Sequence, residues 1–307
     1  MKAVKQISLR KKMSANQILE EYRKAGVLGA AGLAEALDIF EEMVLKKATI
    51  FLGLSGPLVP GGMRNIITDL IDSGYVNVVV ASGANIVHDM IEAFGGRHYV
   101  GSFSADDSKL RDKNLGRMGN ILTKFSDFEV FEKRVQDILS SIDVNKRRNL
   151  SIKELIWEIG SRIGDKNSFL RAAYEKKVAI FAPAVTDSML GLQMFFFSQQ
   201  NTLILNAVKD MGDLADIVFK ARKTGAIILG GGVTKHYILG SNTLREGIDY
   251  GIQIGMERED TGSVSGARLE EGISWAKARK NSRVVSVVGD VTVLFPLLVA
   301  GLKERLS

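Results

Sequence analysis

The sequence predicts an α/β fold in which a parallel sheet is covered by helices on both faces. Five short apolar runs support this prediction, because each one leads into small or glycine-rich residues and then into a helical pattern. Short apolar strands that alternate with helices are typical of a parallel sheet that is buried on both sides. Ligands of such sheets bind beyond the carboxyl ends of the strands, so the loops after the five runs form the candidate site.

Each of the five apolar runs ends in residues that suit a tight turn. They are 49–52 before Gly53-Leu54-Ser55-Gly56-Pro57, 76–81 before Ser82-Gly83-Ala84-Asn85, 178–181 before Ala182-Pro183-Ala184-Val185-Thr186-Asp187, 226–229 before Gly230-Gly231-Gly232, and 284–288 before Gly289-Asp290.

Helical patterns also lie outside these strand–helix units. Ser14 can cap a helix that runs to about Lys24, and we expect a helical N-terminal extension over residues 1–47. A helical insertion is expected over 126–176, whereas the charged segment 102–120 is expected to be irregular. Because no segment has the composition of a linker, the whole chain is expected to form a single domain.

Composition excludes several classes of function. The chain of 307 residues is 46% apolar and has no Cys, which rules out disulfides, thiolate zinc sites and cysteine catalysis. With three His and no Cys, we expect no transition-metal site. We see neither a secretory signal nor a bilayer-spanning apolar run, and therefore expect a cytoplasmic protein without membrane contact. The net charge of +6 comes from scattered basic residues, which argues against direct nucleic-acid binding.

Two features of the strand-end loops suit a nucleotide, and each also has a structural explanation. The triplet Gly230-Gly231-Gly232 would let the backbone approach a phosphate at the start of a helix, or would form a tight turn. Asp187 and Asp290 follow strand ends, where a carboxylate can accept hydrogen bonds from a ribose or can cap the next helix. These alternatives stay open at this point.

Candidate reactive side chains lie near the last two apolar runs. His236 follows the glycine triplet, and in the first turn of a helix its imidazole would face the strand-end crevice, either as a general base or, as is more common for a lone histidine, in a structural role. Lys277 lies in segment 269–279, whose pattern predicts a helix, and Trp275 would wall a pocket beside it. A lysine in a dry pocket attacks imine carbons, whereas a lysine on an amphipathic helix is usually solvated.

Taken together, several blocks resemble the deoxyhypusine synthase family in order and in spacing, from roughly residue 30 to the end. They are Phe51-Leu52-Gly53, Gly62-Met63-Arg64, Arg117-Met118-Gly119-Asn120, Pro183-Ala184-Val185-Thr186-Asp187, Ile227-Ile228-Leu229-Gly230-Gly231-Gly232-Val233-Thr234-Lys235-His236, Gly262-Ser263-Val264-Ser265-Gly266-Ala267-Arg268, Glu271-Gly272-Ile273-Ser274-Trp275-Ala276-Lys277, and Asp290-Val291-Thr292-Val293-Leu294-Phe295-Pro296-Leu297-Leu298-Val299-Ala300.

The resemblance implies a Rossmann-like fold, a homotetramer and an NAD-dependent transfer. In this family spermidine is oxidised to an imine. Its aminobutyl group then passes to an enzyme lysine and on to a lysine of the precursor of the hypusine-containing translation factor. Lys277 matches the covalent lysine, and His236 matches the histidine of proton transfer. The implied polyamine pocket consists of Glu271, Trp275, His88 and Ser263, and the implied NAD contacts are Gly56, Pro57, Ser82, Gly83, Asp187, Gly231 and Asp290.

Three positions depart from the family pattern. His88, Leu192 and Val264 replace acidic residues that hold polyamine ammonium groups, and buried ammonium groups without carboxylates are costly. The amine donor is therefore open between spermidine and other amines such as putrescine and agmatine. Two alternatives to a protein acceptor also stay open. One is a small-molecule aminobutyl transferase such as a homospermidine synthase, and the other is a non-catalytic NAD-binding module.

Overall fold

The structure is a computed structural model that describes residues 1–307, and it divides into two compact units. The first unit consists of Met1–Ser55, Tyr75–Val80 and Asp213–Ser307, and the second of Gly56–Gly74 and Ala81–Gly212. The single domain expected from the sequence stays a prediction. If it is right, the chain unfolds cooperatively, and two different probes of unfolding should show the same transition.

Strands and helices alternate along most of the chain. The strands are β1 (Thr49–Leu54), β2 (Val78–Ala81), β3 (His98–Val100), β4 (Leu115–Met118), β5 (Ile121–Lys124), β6 (Ala179–Phe181), β7 (Thr224–Leu229), β8 (Ile248–Gly255) and β9 (Ala278–Val288). The α-helices are α1 (Ala15–Ala25), α2 (Leu28–Leu45), α3 (Arg64–Asp72), α4 (Gly83–Ala93), α5 (Asp107–Asp112), α6 (Phe125–Ser141), α7 (Val144–Arg147), α8 (Ile152–Gly160), α9 (Phe169–Lys176), α10 (Met189–Ser198), α11 (Ala207–Lys220), α12 (Gly232–Asn242) and α13 (Val291–Leu306). None of the helices combines the length and the apolar character that crossing a membrane requires.

The N-terminal helices α1 and α2 pack with the last helix, α13, in the first unit. Ser14 caps α1 as the sequence predicts, since its hydroxyl accepts a hydrogen bond from the Gln17 amide while the Gln17 side chain caps the Ser14 amide. The Glu304 carboxylate of α13 accepts further bonds from the Ala15 and Asn16 amides, each 3.0 Å long. These bonds tie the first helix of the chain to the last.

The parallel sheet predicted from the sequence is confirmed, and helices flank it. Five of its strands lie in the first unit, in the spatial order β2-β1-β7-β8-β9. β1 and β7 pair in parallel from Thr49 opposite Thr224 to Leu54 opposite Leu229, so both strands end at the same level. Every residue of β7 is buried, as expected for a central strand of such a sheet. Their carboxyl ends therefore meet at one edge.

Strand β8, which lies between β7 and β9, is not among the strands predicted from the sequence. Asp249, Gly251 and Gln253 interrupt its apolar pattern, although Gly251 and Gln253 are buried. The parallel sheet predicted from the sequence is therefore one strand short.

The helix predicted over 269–279 is wrong. A 3-10 segment spans Leu269–Trp275, Ala276 turns the chain with a φ of 54°, and β9 begins two residues later. The Lys277 amide donates to the Gly272 carbonyl over 2.8 Å, which ends the helical turn. Lys277 therefore leads into a strand and does not lie on a helix.

The second unit is mostly helical and contains a small antiparallel sheet in the order β3-β5-β4. Helices α6 to α9 occupy the stretch predicted as a helical insertion, 126–176. The expectation that segment 102–120 is irregular is wrong, because α5 and β4 lie within it. Asp106 caps α5, since its carboxylate accepts bonds from the Ser108 and Lys109 amides of 3.1 and 3.2 Å.

Candidate active site

The candidate site of the first unit begins where β1 and β7 end side by side. β1 is followed by Ser55, and β7 by the glycine triplet at the start of α12. The Ser55 hydroxyl donates to the Gly231 carbonyl over 2.6 Å and lies 2.7 Å from the Thr234 hydroxyl. Gly230 has a φ of 81°, a conformation that favours glycine. The loop is thus fixed at the N-terminal end of a helix, the end that attracts anions.

Ser265 lies directly on the glycine loop. Its hydroxyl accepts a hydrogen bond from the Gly232 amide over 2.8 Å, and its carbonyl accepts one from the Gln253 side chain over 2.6 Å. A Cβ atom at Gly231 would lie 2.6 Å from the Ser265 Cα atom, closer than real contacts allow. Glycine is therefore the residue that fits at position 231. Gly230-Gly231-Gly232 with Ser265 forms a backbone cradle, which we call the glycine cradle.

A cavity of about 350 Å³ opens at the carboxyl ends of β8 and β9. Its lining includes the carboxylates of Glu257, Glu259 and Asp260. Glu259 and Asp260 form ion pairs with Arg268 and Arg258, which also line the cavity. The Oε1 atom of Gln253, which also lines the cavity, is buried and has no hydrogen-bond partner within the chain. A glycine backbone, a helix N-terminus and a carboxylate that can accept hydrogen bonds from a ribose are the groups a dinucleotide requires. These residues therefore fit NAD.

Asp290 caps a helix, which is one of the two roles that the sequence leaves open. Its carboxylate accepts bonds from the Thr292 amide, over 2.7 Å, and from the Thr292 hydroxyl, over 2.8 Å, at the start of α13. Both bonds use the oxygen Oδ1, and the residue is exposed. Capping therefore leaves Oδ2 of the carboxylate available to a ligand.

Lys277 shares one segment with two of the residues that the resemblance assigns to the polyamine. Its ammonium lies 5.6 Å from the centroid of the Trp275 ring, which is a cation–π geometry. Trp275 is 67% exposed, and Glu271, earlier in the same segment, is also exposed. The structure thus presents a carboxylate, an indole face and an amine beside solvent, where a cationic substrate can reach them.

Lys235 has no role predicted from the sequence, and the structure buries it near this segment. The residue is 2% exposed, and its ammonium donates to the Ala267 carbonyl. Burial lowers the pKa of Lys235 to about 8; the charge of Lys277 acts in the same direction, and Glu271 and Glu270 oppose it. Lys235 is therefore a buried amine bonded to the backbone that leads into the Leu269–Trp275 segment.

His236 points outward from α12 and is exposed. It lines a cavity of about 300 Å³ together with Val233, Tyr237 and Val264. Val264, where the family pattern has an acid, therefore offers this cavity an apolar surface. The chain shows no contact between His236 and Lys277, so their joint action stays a prediction.

Ser263 stabilises the loop that leads to the glycine cradle. Its hydroxyl accepts a bond from the Gly266 amide over 3.2 Å and lies 3.0 Å from the Thr261 hydroxyl. These contacts explain its place in the loop, and its assignment to the polyamine stays a prediction.

In the second unit, Asn85 gathers two loops that the resemblance assigns to NAD. Its side-chain amide donates to the Gly56 carbonyl over 2.9 Å and to the Ser82 hydroxyl over 3.0 Å. Ser82 caps α4, whose first residue is Gly83. The loop of Gly56 and Pro57 and the start of α4 are thus brought together. The sequence places Asn85 in a loop but gives no sign of this bridging role.

Asp187 lies in the loop before α10, and Ser188, not Asp187, caps that helix. The Ser188 hydroxyl accepts a bond from the Gly191 amide over 3.3 Å, whereas Asp187 is exposed. The capping explanation therefore does not apply to Asp187. A Cβ atom at Gly83 would lie 2.6 Å from the Ser188 Cβ atom, so this loop packs closely on the start of α4.

His88 is buried in a chain of hydrogen bonds within the second unit. Its Nδ1 atom lies 2.9 Å from His98 Nε2, and His98 Nδ1 lies 2.7 Å from Glu92. Burial, and then the neighbouring His98, lower the pKa of His88 to about 4, so the ring is neutral at pH 7. A neutral ring supplies no negative charge for a polyamine, and neither does the exposed Leu192 of α10. The assignment of His88 to the polyamine pocket stays a prediction.

Comparison with known proteins gives consistent matches over the length of the chain. The sequence model of the deoxyhypusine synthase family matches residues 17–302. A probable deoxyhypusine synthase of Methanothermobacter thermautotrophicus is 48% identical over 305 residues, which are 99% of this chain and 98% of the relative. Another, of Methanopyrus kandleri, is 42% identical over 297 residues, 96% of each chain. A crystal structure from Entamoeba histolytica, described as a deoxyhypusine synthase, shares the fold with a TM-score of 0.68 at 19% identity, over 96% of this chain and 94% of its own.

Proposed function

The chain belongs to the deoxyhypusine synthase family, and we propose that it transfers the 4-aminobutyl group of spermidine to a lysine of the precursor of the hypusine-containing translation factor. The reaction depends on NAD and passes through an imine on Lys277. One arrangement carries this proposal. Lys277 lies over the Trp275 ring, and Ser265, earlier in the same stretch of chain, accepts a hydrogen bond from the Gly232 amide of the glycine cradle. A covalent imine divides one difficult transfer into two easier ones.

NAD, when bound, supplies the oxidant for the amine donor and holds the hydride for the final reduction. In the first unit, the glycine cradle at Gly231 offers backbone without side chains, and Asp290 offers one free carboxylate oxygen. In the second unit we assign the NAD contacts to a group of loop residues. They are Gly56, Pro57, Ser82, Gly83 and Asp187.

The side chains around Lys277 have complementary roles in this proposal. Glu271 pairs with an ammonium group of the substrate, and the exposed Trp275 face binds a cation and limits water at the amine. His236, which is exposed in its own cavity, moves a proton at the polyamine nitrogen.

A second candidate is transfer to, or from, a small diamine or agmatine. The observation that favours it is the absence of negative charge at His88, Leu192 and Val264, of which the first is buried and neutral. A spermidine with three ammonium groups then finds fewer carboxylates than the family pattern provides.

Assembly is the third part of the proposal. Leu192, Phe195 and Phe196 of α10 are 41%, 55% and 52% exposed, an apolar surface that association would cover. We assign a cytoplasmic homotetramer to this chain, since a sequence without Cys needs no oxidising compartment. Light scattering of the purified protein tests the assembly, because a monomer would contradict it.

Trapping of the covalent imine tests the chemistry. The protein is incubated with NAD and spermidine, putrescine or agmatine, the imine is reduced with borohydride, and peptide mass spectrometry locates the adduct. We expect an adduct on Lys277 with spermidine, none in Lys277→Arg, and an undiminished adduct in the neighbouring control Lys280→Arg. An adduct with another amine alone would change the substrate, and no adduct despite NAD binding would leave a non-catalytic NAD-binding module.

A further inference from the structure

Gln253 and Ser286 lie side by side in the wall of the cavity at the carboxyl ends of β8 and β9. The two residues are partners in the parallel register of these strands, so their side chains share one face of the sheet. Both line the cavity of about 350 Å³. Gln253 is 6% exposed and Ser286 is half-buried. We call these two residues the Gln–Ser pair.

The side-chain amide of Gln253 uses only its nitrogen within the chain. Nε2 donates to the Ser265 carbonyl over 2.6 Å and to the Gly230 carbonyl of the glycine cradle over 3.4 Å. A flipped amide would turn Oε1 towards these two carbonyl oxygens, and because acceptors repel each other, the orientation is fixed. Oε1 is buried and has no hydrogen-bond partner in the chain. Since a buried acceptor without a donor is costly, a donor from a ligand is favoured at this point.

The Ser286 hydroxyl has the complementary capacity. Its oxygen accepts a hydrogen bond from the Leu269 amide over 3.1 Å, which is the one bond that it makes within the chain. Its proton therefore remains available to an acceptor. The pair thus offers one acceptor, Gln253 Oε1, next to one donor, the Ser286 O–H. A hydroxyl group donates one hydrogen bond and accepts another, so it is a ligand group that satisfies both.

The charged side chains of the cavity already have partners or contact water. The Glu259 carboxylate pairs with Arg268 over 2.7 Å, and Asp260 pairs with Arg258 over 3.4 Å. Glu257 is exposed. The Gln–Ser pair is therefore the buried part of the cavity wall with hydrogen-bonding capacity left for a ligand.

We propose that Gln253 and Ser286 bind one ribose hydroxyl of NAD, which donates to Gln253 Oε1 and accepts from the Ser286 hydroxyl. This inference deepens the proposed function and rests on it, because NAD is the hydroxyl-bearing ligand that the proposed function places in this part of the chain. The same two side chains also hold the stretch that leads to Lys277, one at Ser265 and the other at Leu269. The bound hydroxyl thus joins the hydrogen bonds that fix this stretch.

Calorimetry with NAD and with its four monodeoxy analogues, each of which lacks one ribose hydroxyl, tests the pair without any transfer activity. Affinities are measured for the wild-type chain, for Gln253→Met and for Ser286→Ala. Ser286→Thr keeps the hydroxyl and serves as the rescue. Gln200→Met, which changes an exposed glutamine, is the matched control.

In the wild-type chain, we expect the removal of one particular hydroxyl to weaken binding by about threefold to tenfold. In Gln253→Met and in Ser286→Ala, the loss on removing that same hydroxyl should be smaller by at least about twofold, because one of its partners is gone. Both variants also lose a bond to the stretch before Lys277 and bind NAD itself more weakly, and comparison between analogues cancels that common loss. Ser286→Thr and Gln200→Met should show the wild-type loss.

Equal losses in the wild-type chain and in both variants, for every analogue, would overturn the proposal and would mean that water satisfies the pair. Coupling of the two variants to different hydroxyls would also overturn it. If Gln253→Met does not fold, Ser286→Ala decides by the same comparison. A wild-type chain that does not bind NAD would overturn the proposed function and this inference together, whereas NAD binding with equal losses would overturn the pair alone.

Discussion

Substitution of Gly231 by alanine places one methyl group where the cradle has no room. The added Cβ atom would lie 2.6 Å from the Ser265 Cα atom and 2.8 Å from its Cβ atom. Since carbon atoms pack at about 3.5–4.0 Å, the Ser265 backbone must move away by about 1 Å. That movement breaks the 2.8 Å bond between the Gly232 amide and the Ser265 hydroxyl and strains the bond from Gln253.

The cost of Gly231→Ala follows from these two effects. Overpacking costs about 1–3 kcal/mol and the lost hydrogen bond about 1 kcal/mol, so the free energy of unfolding should fall by roughly 2–4 kcal/mol. NAD affinity should fall by about tenfold or more, because the cradle itself moves. Urea unfolding and calorimetry with NAD measure the two quantities.

Gly240→Ala is the matched control in the same helix. A Cβ atom there meets nothing within 4 Å, and alanine in a helix is more stable than glycine by about 0.5–1 kcal/mol. The control should therefore gain stability and keep its NAD affinity. If Gly231→Ala lies within about 0.5 kcal/mol of wild type, the range of ordinary surface changes, the close contact with Ser265 is refuted.

Two further predictions concern His88 and Asp290. The folded state keeps His88 neutral down to about pH 4, whereas the unfolded chain protonates it near pH 6.5. Stability from this group is therefore complete above about pH 6.5 and is lost as the pH falls towards 4, by up to about 3 kcal/mol. Urea unfolding at pH 7 and pH 4.5 should show a smaller loss for His88→Gln than for wild type, and equal losses would contradict the assignment. Asp290→Ser keeps a capping hydroxyl but removes the carboxylate, so the thermal midpoint should stay within a few degrees of wild type while calorimetry shows weaker NAD binding. Unchanged NAD affinity would limit Asp290 to its capping role.

The sequence predicts the sheet well where a strand is a continuous apolar run. β1 and β7 fit this pattern, and their paired ends place Ser55 next to the glycine triplet. The pattern fails for β8, which is buried although it contains the non-apolar residues Gly251 and Gln253. The Gln253 side chain donates a hydrogen bond to the Ser265 carbonyl, a contact that the number of apolar residues in a segment does not reveal. A polar residue with a buried bond partner looks the same in sequence as a solvated one.

The predicted helix over 269–279 fails for a different reason. Its spacing of apolar residues is compatible with a helix, but Gly272 and the left-handed Ala276 end the turn, and pairing of Ala278 with Ile248 starts a strand. Strand pairing is a long-range contact, and local spacing does not report it.

The sequence predicts only those residues of the candidate site that lie in the blocks resembling the family. Lys277 and Trp275 do meet, as the cation–π contact shows, whereas His236 lies in a separate cavity. Lys235 stands three and four residues before the buried Ile238 and Leu239, and this spacing is the one sequence signal for its burial. Lysine at such a position usually reaches solvent, so its neighbours in space are needed to identify it.

Transfer to a protein lysine tests the central claim most directly. The chain, NAD and spermidine labelled in the aminobutyl group are incubated with the precursor of the hypusine-containing translation factor from Methanothermobacter thermautotrophicus, the source of the relative with 48% identity. The proposed function predicts label on a single lysine of the precursor, dependent on NAD and absent with Lys277→Arg. Label on free diamine alone, or label on the precursor that persists with Lys277→Arg, would contradict it.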